Sequence, residues 1–116
     1  RTQDFKNLLQ KCKYAILLTG TESQGIAYME ILSTNTPCYV LNKDVWDDRE
    51  GFEFDATSVP YFDDRCGIIA SKMEKFDQFL NNLSFYSPRD YILENHTLEI
   101  SAEKYMNIIR DINKNV

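Results

Sequence analysis

Residues 14–41 read YAILLTGTESQGIAYMEILSTNTPCYVL, and this stretch decides the fold. It opens on a continuous apolar run, Tyr14 to Thr19, of strand length. Uninterrupted runs of this kind suit a strand covered on both faces, as in a parallel sheet. Gly20-Thr21 breaks the run, and Ser23 to Leu32 then reads as a helix with Ile26, Met29 and Leu32 turned inward. Asn35 follows where a helix end needs a left-handed residue, a conformation that Asn tolerates. Pro37 opens the next strand, Cys38-Tyr39-Val40-Leu41. Strand, helix, strand at this spacing is one βαβ unit.

On the amino-terminal side, Phe5, Leu8, Leu9 and Cys12 have helical spacing behind a Thr2 cap. On the other side come the turn Thr57-Ser58-Val59-Pro60-Tyr61-Phe62 and a short strand, Gly67-Ile68-Ile69-Ala70. Met73, Phe76, Phe79, Leu80 and Leu83 line one face of a following helix. Ser87-Pro88 reads as a helix start, with Ser as cap and Pro in the first turn. Leu98, Ala102, Tyr105, Ile109 and Ile112 form the stripe of a last helix. With no repeat and no linker, residues 1–116 read as one α/β domain, a Rossmann-like parallel sheet of about three strands with flanking helices.

Composition narrows the function. At 43% hydrophobic and 27% charged, the chain is neither disordered nor fibrous. A net charge of −5 denies it the basic face that a nucleic-acid binder needs. No apolar run reaches the ~20 residues of a membrane span, and the start is no signal peptide. Most of the negative charge lies between Lys43 and Asp55, where six acids face two bases, and this segment reads as a solvated loop. The 3 cysteines, Cys12, Cys38 and Cys66, lack zinc spacing and cannot close a disulfide framework. They read as small core residues in a reducing, cytoplasmic compartment.

In open α/β sheets, ligands bind beyond the carboxyl ends of the strands. The first such end here is Thr19 to Ile26, where a helix begins and its free N–H groups can hold an anion. Gly25 either lets a phosphate approach the backbone or permits close helix–sheet packing. Glu22 and Glu30 frame that helix, about 12 Å apart along its axis. This is wider than the ~6.5–9.5 Å of an inverting glycosidase pair. The spacing suits two groups gripping opposite ends of an extended ligand through charge-assisted hydrogen bonds. Each Glu also has a plain structural reading, Glu22 complementing the helix dipole and Glu30 standing on a solvated face.

Beyond this spacing, Glu22-Ser23-Gln24-Gly25-Ile26-Ala27-Tyr28-Met29-Glu30 resembles the Glu-x7-Glu motif of retaining GT-B glycosyltransferases, especially glycosyltransferase family 4. Ile31 to Pro37 fits that family's A-x-A-x-G-x-P, Thr57-Ser58-Val59-Pro60 its Gly-Gly-x-Pro turn, and Cys66-Gly67-Ile68-Ile69 its T-G-x-L strand. The resemblance covers nearly the whole chain and implies the carboxyl-terminal portion of a GT-B donor-binding domain. It implies a nucleotide-diphosphate sugar as donor substrate, with no metal or other cofactor. Glu30 would hold the ribose hydroxyls, and Glu22, the catalytic residue, would lie at the transferred sugar. Gln24, Gly25 and Ile26 would meet the diphosphate through their backbone, with Gly20, Thr21 and Ser23 lining the sugar end. Ser23-Gln24 replaces the family's Gly-Phe, Asn35 its cap Gly, and Ser58 one of its turn glycines. The resemblance also implies that the first strands, their basic residues and an amino-terminal acceptor domain precede Arg1, with any membrane association in that domain. Transition-state charge builds on the leaving phosphate. Without those basic residues, this piece is expected to bind donor weakly and transfer nothing.

Other residues carry weaker signals. Asp47-Asp48 and Asp63-Asp64 read as solvated loops, since no Asp-x-Asp metal triplet occurs. His96 is the single histidine and reads as a surface or capping residue, with no nucleophile beside it in sequence. Trp46 either stacks on a base or sugar or covers a core edge. The alternative to an enzyme is a non-catalytic, flavodoxin-like α/β module that binds a phosphate ligand or a protein.

Overall fold

A computed structural model describes residues 2–47 and 50–114. Its centre is a parallel sheet of β1 (Ala15–Leu17), β2 (Cys38–Leu41) and β5 (Gly67–Ala70), in the order β1-β2-β5. Leu17 pairs with Val40, and Val40 with Ile69. The helices are α1 (Thr2–Gln10), α2 (Ile26–Ser33), α3 (Phe76–Asn81), α4 (Pro88–Asn95) and α5 (Leu98–Lys114), with 3₁₀ turns at Met73–Lys75 and Leu83–Phe85.

The middle strand shows why the chain layers as it does. Successive side chains of a strand point to opposite faces, and every side chain of β2 is apolar. Cys38 and Val40 pack with Leu32 and Tyr28 of α2 and Tyr91 of α4. Tyr39 and Leu41 face the other way, onto Phe76, Phe79 and Leu80 of α3. The result is a helix–sheet–helix sandwich, and burying each large apolar side chain in it contributes about 1.5–3 kcal/mol. Rings of Tyr14, Tyr39, Phe76 and Phe79 meet edge to face with centroids 5.5–5.9 Å apart. The Tyr39 hydroxyl, at the end of this apolar layer, donates to the Lys72 carbonyl at 2.6 Å and accepts from the Lys75 N–H. Gly67, at φ 141°, lies so close to the Cys38 carbonyl that a side chain there would break the β2–β5 pairing.

Several elements differ from the sequence reading. Helix α2 starts at Ile26, not Ser23, and Ile26 is exposed while Tyr28 and Leu32 are the buried residues. Its end is as expected, with Asn35 at φ 62°. Strand β1 is covered on one face only: Leu17 is buried, Ile16 is 40% exposed and Leu18 74%. Helix α1 includes Thr2 rather than following it, buries Leu9, and leaves Leu8 exposed. Ser87 stands at the N-cap of α4 but makes no side-chain capping bond. Helix α5 forms as expected, but none of its residues is buried, and of the expected stripe only Ile109 is half-buried. Cys38 and Cys66 are core residues, whereas Cys12 is exposed.

The largest difference is the acidic segment. It forms an antiparallel hairpin of β3 (Val45–Asp47) and β4 (Glu53–Asp55), with Trp46 directly opposite Phe54. Asp48 and Arg49 lie outside the described residues. A directly opposed aromatic pair is the ordinary stabilising unit of a two-stranded ribbon, and here it joins strands whose other residues are Val45 and the acids Asp47, Glu53 and Asp55.

Candidate functional site

The loop after β1, the hairpin base and the turn before Pro60 meet at the carboxyl edge of the sheet. Asn42, just past β2, is the organiser: its Oδ1 accepts from Ser58 N–H at 2.8 Å and from Thr57 Oγ1 at 2.9 Å. Ser58 is fully buried. Its hydroxyl accepts from Lys43 N–H at 2.9 Å and donates to the Thr19 carbonyl at 3.3 Å. A buried hydroxyl must find such partners, because an unmet one costs about 1–3 kcal/mol. Next to it, Glu22 N–H donates to the Thr57 carbonyl at 2.9 Å. The Ser at this turn is therefore a latch between two loops, a role that glycine could not fill.

These bonds bring three of the sequence candidates to one place. Thr21, Glu22 and Ser23 line a cleft of about 400 Å³ whose other wall is Trp46, Phe54, Asp55 and Ala56 of the hairpin. The two rings are tilted by 35°, with centroids 5.6 Å apart. Both stay about half exposed, Trp46 at 48% and Phe54 at 52%. Trp46 therefore does not cover a core edge. Its neighbour Phe54 escaped the sequence reading, although the alternation Glu53-Phe54-Asp55 was its signal.

Gly25, φ 75°, is the N-cap of α2 and has no side chain with which to cap it. The Tyr28 ring fills the space a side chain at Gly25 would occupy. That gives the packing explanation of this glycine a specific occupant. The Tyr28 hydroxyl in turn accepts from Tyr61 N–H at 2.9 Å, and burial pushes its pKa up to about 12. Gly20 and Gln24 are exposed along the same loop, and Ile26 is exposed at the first position of α2. Glu30 is exposed on α2 but borders a different cavity, of about 200 Å³, with Phe5, Lys6, Leu9, Ser33 and Thr34. The two glutamates thus do not share a cavity.

Two of the remaining candidates, Asp63 and His96, have structural partners. Asp63 accepts from Arg65 N–H at 2.8 Å and from its guanidinium at 2.9 Å. Burial works to raise its pKa, but these bonds outweigh that and hold it below the usual value. Arg65 also bonds Glu94 at 2.6 Å. Among the described residues no three His, Cys, Asp or Glu side chains gather as metal ligands. His96 caps α4 as expected, standing at its C-cap with its N–H on the Ile92 carbonyl at 2.8 Å, and its half-buried ring meets Tyr61 and Tyr91. Its Nε2 lies 3.2 Å from the Tyr91 hydroxyl. No described helix is long and apolar enough to cross a membrane. No protein-family model matches the chain, and no curated protein or solved structure matches it either.

Proposed function

We propose that the chain is the donor-binding region of a retaining glycosyltransferase that takes a sugar from a nucleotide-diphosphate sugar, in the carboxyl-terminal part of a GT-B donor domain. The observation that carries this reading is the position of Glu22. It stands on a cleft at the carboxyl edge of a parallel sheet, four residues before a helix whose N-cap has no side chain. Free N–H groups and the positive helix end favour a diphosphate there. Glu22, with Thr21 and Ser23, then faces the sugar hydroxyls, and Glu30, about 6 Å into α2, serves the ribose. Lys43 brings a basic residue to the same edge through its N–H bond to Ser58. A cytoplasmic location, a metal-free reaction and an acceptor domain elsewhere in the protein belong to the same proposal. The filling of Gly25 by Tyr28 favours the second reading, a non-catalytic flavodoxin-like module, because the glycine then needs no ligand.

Titration of the 116-residue chain with uridine diphosphate, followed by amide NMR, separates the two. The donor reading expects saturable shifts at residues 24–26 that Glu30→Ala weakens. No saturable shift at roughly 10 mM ligand, well above a millimolar Kd, overturns it.

A further inference from the structure

The hairpin adds something that a phosphate site has no use for. It presents a half-exposed Trp46–Phe54 pair to a cleft whose opposite wall carries Glu22 and the hydroxyl residues Thr21 and Ser23. Among the described residues no Lys or Arg lines that cleft, and those of the hairpin include Asp44, Asp47, Glu53 and Asp55. The lining side chains are acidic or neutral, and two carboxylates, Glu22 and Asp55, favour an uncharged occupant over a phosphorylated one. An aromatic wall takes an apolar face, and a carboxylate takes hydroxyl protons. A pyranose ring has both: axial C–H bonds on one face and hydroxyls around its rim. The cleft, about 400 Å³, is of the size that holds small ligands.

We propose that this cleft is a neutral-saccharide subsite, in which a pyranose ring stacks on Trp46 and Phe54 while its hydroxyls donate to Glu22. It rests on the reading of Glu22 as the sugar-facing residue and deepens it by naming the aromatic pair that holds the ring, while needing neither the α2 N-terminus nor Glu30. Trp46 is the single tryptophan of the chain, so its fluorescence reports this site alone. The probes are the methyl glycosides of glucose, galactose and mannose, titrated into the 116-residue chain up to roughly 50 mM, well above a millimolar Kd.

At least one glycoside is expected to change Trp46 emission saturably. Phe54→Ala and Glu22→Gln are each expected to weaken that response about tenfold, in line with the loss of one stacking or charge-assisted contact. Glu30→Ala is expected to leave it unchanged, whatever that substitution does to uridine diphosphate binding. Silence towards all three glycosides overturns the proposal. So does a response that survives Phe54→Ala, or one given only by uridine diphosphate. Phe54→Ala also removes the cross-strand partner of Trp46, so the amide shifts of residues 45–47 check that the hairpin persists, and Glu22→Gln, at an exposed position on the opposite wall, tests the same site without touching it.

Discussion

Tyr28 accepts a hydrogen bond from the backbone N–H of Tyr61 at 2.9 Å while its ring fills the space beside Gly25. One side chain thereby fixes the start of α2 against the turn that follows Pro60. Tyr28→Phe keeps the ring and removes the acceptor. It is expected to cost about 0.5–1.5 kcal/mol, read as a lower urea midpoint with an unchanged slope.

Gly25→Ala meets two penalties, a left-handed φ and the Tyr28 ring. Together they are expected to cost about 2–4 kcal/mol, roughly 1 from the backbone and the rest from overpacking. In the double variant Gly25→Ala, Tyr28→Ala the steric part disappears, so the two losses are less than additive. Strict additivity in a urea double-mutant cycle would show that the ring does not occupy that space.

Stability depends on pH through groups on both sides of neutrality. Burial holds His96 below its usual 6.5, with Lys104 adding to the effect, so the unfolded chain takes up that proton more readily. Its contribution is full above about pH 6.5 and is lost as pH falls towards the folded-state value. Burial pushes Tyr28 and Cys38 up to about 12 and Cys66 to about 11, from 10.0 and 9.0 when unfolded. Those contributions are present below about pH 9 and fade as pH rises beyond it. Urea midpoints are expected to form a plateau from about pH 7 to 9, and His96→Gln to flatten the acid limb between pH 6.5 and the Asp63 range. An unchanged limb in that variant removes His96 from the account.

Thiol labelling separates the cysteines. Cys12 is exposed, with its Sγ 3.3 Å from the Leu8 carbonyl, while Cys38 and Cys66 are fully buried. An aromatic disulfide reagent at pH 8 is expected to titrate one thiol in the folded chain and all 3 in denaturant. Two or three reactive thiols before unfolding would contradict the packing of Cys38 against Cys66.

Helix α5 gives a negative test. Leu98 is 82% exposed, Tyr105 65% and Ile112 58%. Leu98→Lys and Ile112→Lys are each expected to change stability by less than about 0.5 kcal/mol. A larger loss in thermal melts would mean that the stripe is covered.

How much of this was legible beforehand follows from burial. Strands β2 and β5 agree with the sequence reading residue for residue, because β2 is covered on both faces and β5 sits between clear turn signals. Periodicity named helix α5 but not its covered face: Ile100 and Ile109 are its half-buried residues, while Leu98, Ala102, Tyr105 and Ile112 are exposed. The hairpin was hidden by its own composition: Asp44, Asp47, Glu50, Glu53 and Asp55 read as solvent-facing charge, and the single aromatic in each strand was outvoted. Of the site, Thr21, Glu22 and Ser23 were visible as a strand-end loop. Trp46 and Phe54 reach them through a tertiary approach that no local spacing encodes. Asn42 and Ser58 were missed for the same reason, since each earns its role from bonds to residues at least 15 positions away.

The Asn42 junction has a practical meaning. Because Asn42 and Lys43 are bonded directly to Thr57 and Ser58, the hairpin leaves the core and returns to it at a single point. Everything between is a cassette. It can be shortened, lengthened or exchanged while the sheet keeps its register, so ligand preference at the Glu22 cleft can diverge without altering the fold that carries it.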